Sequence, residues 1–145
     1  MQHRNNQWLA AKLNALIGVY FPDLEIKNRL SIRFGKRSRR QLGCIAKKYS
    51  GSVLKRIQGE FESEIRINGL FRSLEIPEEV VYGTIIHELC HYAHGFSSPL
   101  PQLSKHPHSG GVIKAEMIKR GAGDIYLIEK KWLKQNWQKY IDQQF

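Results

Sequence analysis

Residues 76–95 read IPEEVVYGTIIHELCHYAHG, and this stretch decides the fold. Its left end is suited to start a helix. Pro77 fits the first helical position because it lacks an N–H that would go unpaired there, and Glu78 and Glu79 set negative charge at the positive end of the helix dipole. Its right end is suited to stop one, since Gly95 tolerates the left-handed backbone that closes many helices. The spacing predicts a helix from Pro77 to about His94, with Ile85, Leu89 and Tyr92 on the face turned to the core.

Inside that helix lies His87-Glu88-Leu89-Cys90-His91, an HExxH motif. At about 100° per residue, His87 and His91 differ by only about 40°, so both imidazoles leave one face a turn apart, as two ligands of a single tetrahedral zinc must. Glu88 stands beside them, where its carboxylate can take the proton of a water polarised by the ion. The composition makes an HExxH by chance a roughly 2% event. A purely structural zinc site has no need of Glu88 and usually closes with cysteines. Gly83, one turn before His87, is expected near the zinc face, leaving room for a substrate. Cys90 reads as a small apolar packing residue.

A third protein ligand is required. His94 is about 10.5 Å along the axis from His87, too far for comfortable convergence. The longer HExxHxxGxxH pattern is not met, since position 94 is His and position 97 is Ser. Glu116 would give the glutamate-ligand class. His106 and His108 precede a further helical segment, expected over about 109–119, which a chain reversal brings back over the motif. His108 is preferred because the start of that helix can fix it, while His106 stays in the loop before Pro107.

Working outward, the chain has 145 residues, 41% of them hydrophobic, enough for a single domain (1–145) with its own core. Two cysteines, Cys44 and Cys90, build neither a disulfide framework nor a four-cysteine zinc ribbon, which fits a reducing setting. The amino terminus lacks a signal peptide's cleavage site, and no apolar run approaches a membrane span, so a soluble protein without membrane contact is expected. Leu9, Leu13, Leu16 and Ile17 predict a first helix over about 6–19, stopped before Pro22. Ile26, Leu30, Ile32 and Phe34 predict a strand, with a turn from Gly35 and a return strand over 42–49; residues 64–68 predict a third strand. Residues 124–141 carry Ile125, Ile128, Trp132 and Leu133 against lysines and predict a basic amphipathic helix, assigned with its flank as 124–145. The fold class is therefore α+β: an N-terminal helix, a small three- to four-stranded sheet, the HExxH helix and further C-terminal helices.

Leu13-Asn14 with Tyr20-Phe21, RQLGC over 40–44, EIRIN over 64–68, PEEVV from Pro77 and TIIHELCH over 84–91 together resemble the SprT-like metalloproteases, the family that includes Spartan. The resemblance runs from residue 13 to residue 123. It implies a zincin-like fold and a zinc endopeptidase with one Zn2+ and a protein or peptide substrate. In Spartan-like members it further implies cleavage of DNA-crosslinked proteins, stimulated by DNA. It also points to His108 as third ligand, although the family's HGxxF is here His108-Ser109-Gly110-Gly111-Val112. The zinc ribbon of many members has no cysteines to build it here. A monomer, cytoplasmic or associated with nucleoid or nucleus, is the matching expectation.

The net charge of +10 is concentrated. Residues 26–59 hold eleven basic side chains and no acidic one, and a basic tail follows the motif. Lys36, Arg37, Arg39 and Arg40 are expected at a hairpin tip, where they could meet phosphates, and Trp132, Trp137 and Tyr140 could stack unpaired bases of single-stranded DNA. Aromatics on such a helix also serve as its core face, and charge runs as solvated surface. Beside the endopeptidase stands a second reading, a nucleic-acid-binding module on a zincin scaffold without proteolysis. Hydrolysis of another amide is a third, because the motif does not identify the scissile bond.

Overall fold

The computed structural model describes residues 3–49, 51–108 and 111–145. Helix α1 (Asn6–Tyr20) is started by Asn5, whose side chain accepts from the Trp8 N–H, and it buries Leu9, Leu13 and Leu16. Three strands follow, β1 (Leu30–Phe34), β2 (Gly43–Lys48) and β3 (Glu62–Ile67), with a short helix α2 (Val53–Ile57) between the last two. A 3-10 turn (Gly69–Arg72) leads to α3 (Glu78–Ala93). After a loop come α4 (Val112–Lys119) and α5 (Gly123–Trp132), which runs through a π-helical turn (Leu133–Trp137) into α6 (Gln138–Gln144). Ser109, the expected start of the segment before α4, lies outside the described residues. No helix among them is long and apolar enough to cross a membrane.

The sheet corrects the expected hairpin. Its order is β1-β3-β2, with β1 parallel and β2 antiparallel to β3. The most buried strand takes the centre: Ser63, Glu64, Ile65 and Ile67 of β3 are all buried, whereas β2 is nowhere fully buried. The basic segment is therefore a crossover spanning the end of β3 rather than a hairpin tip. Asn68 holds it there. Its amide donates to the carbonyls of Ser38 (2.7 Å) and Gln41 (2.9 Å), while its oxygen accepts from the N–H of Ser38 and Leu70. The pairing was decided by a residue thirty positions away, which local turn chemistry does not reveal.

Helix α3 is the centre of the molecule. Ile85, Leu89 and Tyr92 are fully buried as patterned, but Val80, Val81, Ile86 and Cys90 are as well, so the helix has almost no solvent face. It packs against α1, α4, α5, β2 and β3. Pro77 sits at the cap position, one residue earlier than expected, and Gly95 closes the helix with a φ of +86°. Arg4 ties the amino terminus to the approach of α3 by donating to the carbonyls of Phe71, Ser73 and Ile76.

The C-terminal helix departs from its expected face. Ile128 is exposed and Glu129 is buried, so the inward stripe runs through Ile125, Glu129 and Leu133. The π turn resets the phase after Leu133 and brings Trp137, Tyr140 and Ile141 onto the core.

Candidate metal centre and catalytic cleft

His87, His91 and His108 converge, with one ring nitrogen from each lying within 4.8 Å of the others. Helix periodicity sets the first pair: the Nε2 atoms of His87 and His91 are 3.1 Å apart. A tetrahedral zinc with bonds of about 2.0–2.1 Å requires nitrogen separations of about 3.3 Å, so the three imidazoles fit one such ion with small rotations. His108 comes from the loop before α4, its ring 4.7 Å from that of His91 and 6.0 Å from that of His87. The other sequence candidates are elsewhere. His106 is exposed and not a member of the group, and His94 and Glu116 pair with each other at 2.7 Å.

The electrostatics suit a cation. Burial, followed by repulsion from His108 and Lys130, lowers the His87 pKa to about 4. Burial and then His87 lower that of His91 to about 4. Both rings are thus neutral at ordinary pH, the form that ligates metal. Two neutral imidazole nitrogens facing each other at 3.1 Å can share one hydrogen between them or both donate lone pairs to an ion.

Glu88 is buried in the same cavity, of about 450 Å³, which the three histidines also line. Burial, then the charge of Glu129, pushes its carboxyl up to about 8. Strand β2 covers this side. A Cβ at Gly43 would stand 2.8 Å from the Thr84 methyl and 3.6 Å from Glu88 Cγ, so glycine there lets the strand lie directly on the helix. Phe96 packs edge-on against His91, and Cys44 lines the cavity as a thiol whose pKa is raised by burial and by Glu88.

Glu129 is the residue that reading the sequence missed. Its carboxyl lies 2.7 Å from Thr84 Oγ1 and is pushed up to about 7 by burial, against the Thr84 hydrogen bond. It also takes the space expected to stay open at Gly83, where a Cβ would fall 2.6 Å from its Oε1. The Thr84 hydroxyl lies 2.9 Å from the Val80 carbonyl as well. One hydroxyl hydrogen cannot fully serve both acceptors, whereas a protonated Glu129 donates to Thr84 and frees that hydrogen for Val80. The available signal was a glutamate four residues from both Ile125 and Leu133, in phase with the apolar stripe.

Lys36, Arg37, Arg39 and Arg40 are all exposed on the crossover. Arg37 donates to the Gln144 carbonyl, and Arg37 and Arg39 lie over the Phe145 ring. Trp132 and Trp137 are partly buried against the core. Trp137 meets Phe71 edge-on, lies against Tyr140, and donates through Nε1 to the Arg39 carbonyl. The structure thus brings the basic segment and the tryptophan-bearing helix to one side of the molecule. Comparisons with models of protein families, with curated proteins and with solved structures find no match to this chain.

Proposed function

We propose that this chain is a zinc-dependent endopeptidase of the SprT-like type, with a zincin-like arrangement of the HExxH helix. One observation carries the reading: His87, His91 and His108 converge in a cavity that also holds Glu88. A zinc ion bound there would polarise the scissile carbonyl and the attacking water and favour the ionised form of Glu88. His87 and His91, kept neutral by burial, offer their lone pairs without first losing protons. Glu88, ionised beside the ion, would accept the proton of the attacking water and return it to the departing amine nitrogen. Strand β2 and α5 form two walls of the cleft and lower the polarity around Glu88, strengthening each charge interaction there.

The substrate reading, proteins bound or crosslinked to DNA, rests on the resemblance and on the exposed basic crossover. The same crossover favours the second reading, a binding module without hydrolysis. The experiment compares zinc-loaded protein with Glu88→Gln on a DNA-binding protein substrate, with and without single-stranded DNA. Cleavage by the first and not the second is expected. Equal cleavage by the two refutes the mechanism, and cleavage by neither, with DNA bound, leaves the binding module.

A further inference from the structure

His94 and Glu116 were each candidates for the third ligand position, and in the fold they bind one another. Their geometry has a consequence for His108. His94 caps the C-terminus of α3, three residues after His91, and is buried. Its backbone carbonyl accepts from the Leu103 N–H at 2.9 Å, five residues before His108. Its Nε2 lies 2.7 Å from Glu116 Oε1, eight residues after His108. One residue of the HExxH helix therefore grips the chain on both sides of the histidine that must reach the metal.

The second grip is itself anchored. Arg120 donates through Nε to the other oxygen of Glu116 at 2.8 Å, the i to i+4 spacing of one helix face. The same guanidinium donates to the Tyr20 carbonyl and to Asp23, and lies 4.1 Å from the Phe21 ring centre. The line α1 end, Arg120, Glu116, His94 fixes α4 along its own axis. Ile113 and Met117 hold α4 on the core, but apolar contacts resist sliding less than a short, directional hydrogen bond does.

We infer that the His94–Glu116 pair, braced by Arg120, is a positioning device that sets His108 for metal binding. It acts through His108 and touches neither the ion nor the substrate. The inference rests on the proposed metal centre, and a double-mutant cycle separates the two. Zinc affinity is measured by competition with a chromophoric chelator for the native protein, His108→Ala, Glu116→Ala and the double variant, with metal-free melting temperatures taken alongside. His108→Ala should weaken binding strongly, and Glu116→Ala by roughly tenfold. Glu116→Ala should add nothing once His108 is absent, and Glu116→Gln, which keeps a hydrogen-bonding oxygen for His94, should recover most of the loss. If Glu116→Ala does not fold, His94→Ala carries the same cycle. Equal weakening by Glu116→Ala with and without His108, or none with it, overturns the positioning role. Zinc binding indifferent to His108 overturns the metal centre itself.

Discussion

Replacing Glu129 by Gln should stabilise the metal-free protein in alkaline solution and leave it nearly unchanged in acid. The native carboxyl is pushed up to about 7, against an ordinary value of 4.5. Below about pH 4.5 it is protonated in both folded and unfolded chains and contributes nothing pH-dependent. As pH rises from there to 7, the unfolded chain loses a proton that the folded one keeps, so stability falls. The full loss, set by the rise from 4.5 to about 7, is roughly 3 kcal/mol once the pH is well above 7. Gln has no proton to lose, and its amide can donate to Thr84 as the acid does, leaving the Thr84 hydroxyl for Val80. Glu88, also raised, slopes the same way, and because the Glu129 charge is one cause of its shift, removing that charge adds to the difference at the alkaline end. For a chain of this size, roughly 3 kcal/mol is about 6–12 °C in melting temperature. The assay is thermal unfolding in the presence of chelator from about pH 5 to about pH 9, read as the difference between the two proteins. A difference that stays constant with pH would refute the protonated assignment, and so would a native protein that is the more stable at the alkaline end.

Gly83→Ala should destabilise by about 1–3 kcal/mol despite alanine's better helix propensity, because the new Cβ meets Glu129 Oε1 at 2.6 Å and its Cβ at 3.2 Å. Urea unfolding checks this, and adding Glu129→Ala should return part of the loss. Zinc binding at about pH 6 should release fewer than one proton per ion from imidazoles, since His87 and His91 are already neutral there, whereas three ordinary histidines would release about two. Calorimetry in buffers of different ionisation enthalpy measures it, in the Glu88→Gln background so that this carboxyl contributes none. Changing Lys36, Arg37, Arg39 and Arg40 together to Glu should weaken single-stranded DNA binding and flatten its salt dependence, and unaltered affinity at low salt would remove the DNA contact.

How much of this was legible in the sequence follows from the range of the interactions involved. Helix α3 was readable because its signals are local: an acidic first turn, a period of 3.6 and a closing glycine. The convergence of His87 and His91 is a property of one helix turn. His108 was preferred from its place before a helix and from a family resemblance, but its distance to the other two depends on the path the chain takes after α3. The strand pairing failed because the turn signal at Gly35 is local while the winning contact, Asn68 on Ser38 and Gln41, is not. Glu129, in phase with Ile125 and Leu133, was passed over for a related reason. Its partners Gly83 and Thr84 lie some 45 residues away, and an isolated glutamate on a lysine-rich helix reads as solvent-facing.

The buried polar groups of the cleft carry fewer hydrogen bonds than most of those that hold the rest of the fold together. Away from the cleft most are well bonded, although Arg4 Nε and His94 Nδ1 have no partner. Arg4 donates to three carbonyls, Asn68 has bonds on both sides of its amide, and Glu64 accepts from Arg33 and Arg66, whose hydrogen bonds outweigh its burial and hold its pKa low. At the cleft the bonding is sparser. Among the described residues no hydrogen bond supports the Glu88 carboxyl, the Nδ1 atom of His91 has no partner, and Glu129 has only the Thr84 hydroxyl. An unsatisfied buried polar group costs about 1–3 kcal/mol, so the metal-free fold would gain by replacing such groups with apolar ones. Their clustering in one cavity is the pattern expected where stability is given up for chemistry. It makes a directional prediction: removing Glu88 through Glu88→Leu should raise the stability of the metal-free protein and, on the proposed function, abolish hydrolysis, whereas the comparable change at Glu64, which pairs with Arg33 and Arg66, should destabilise.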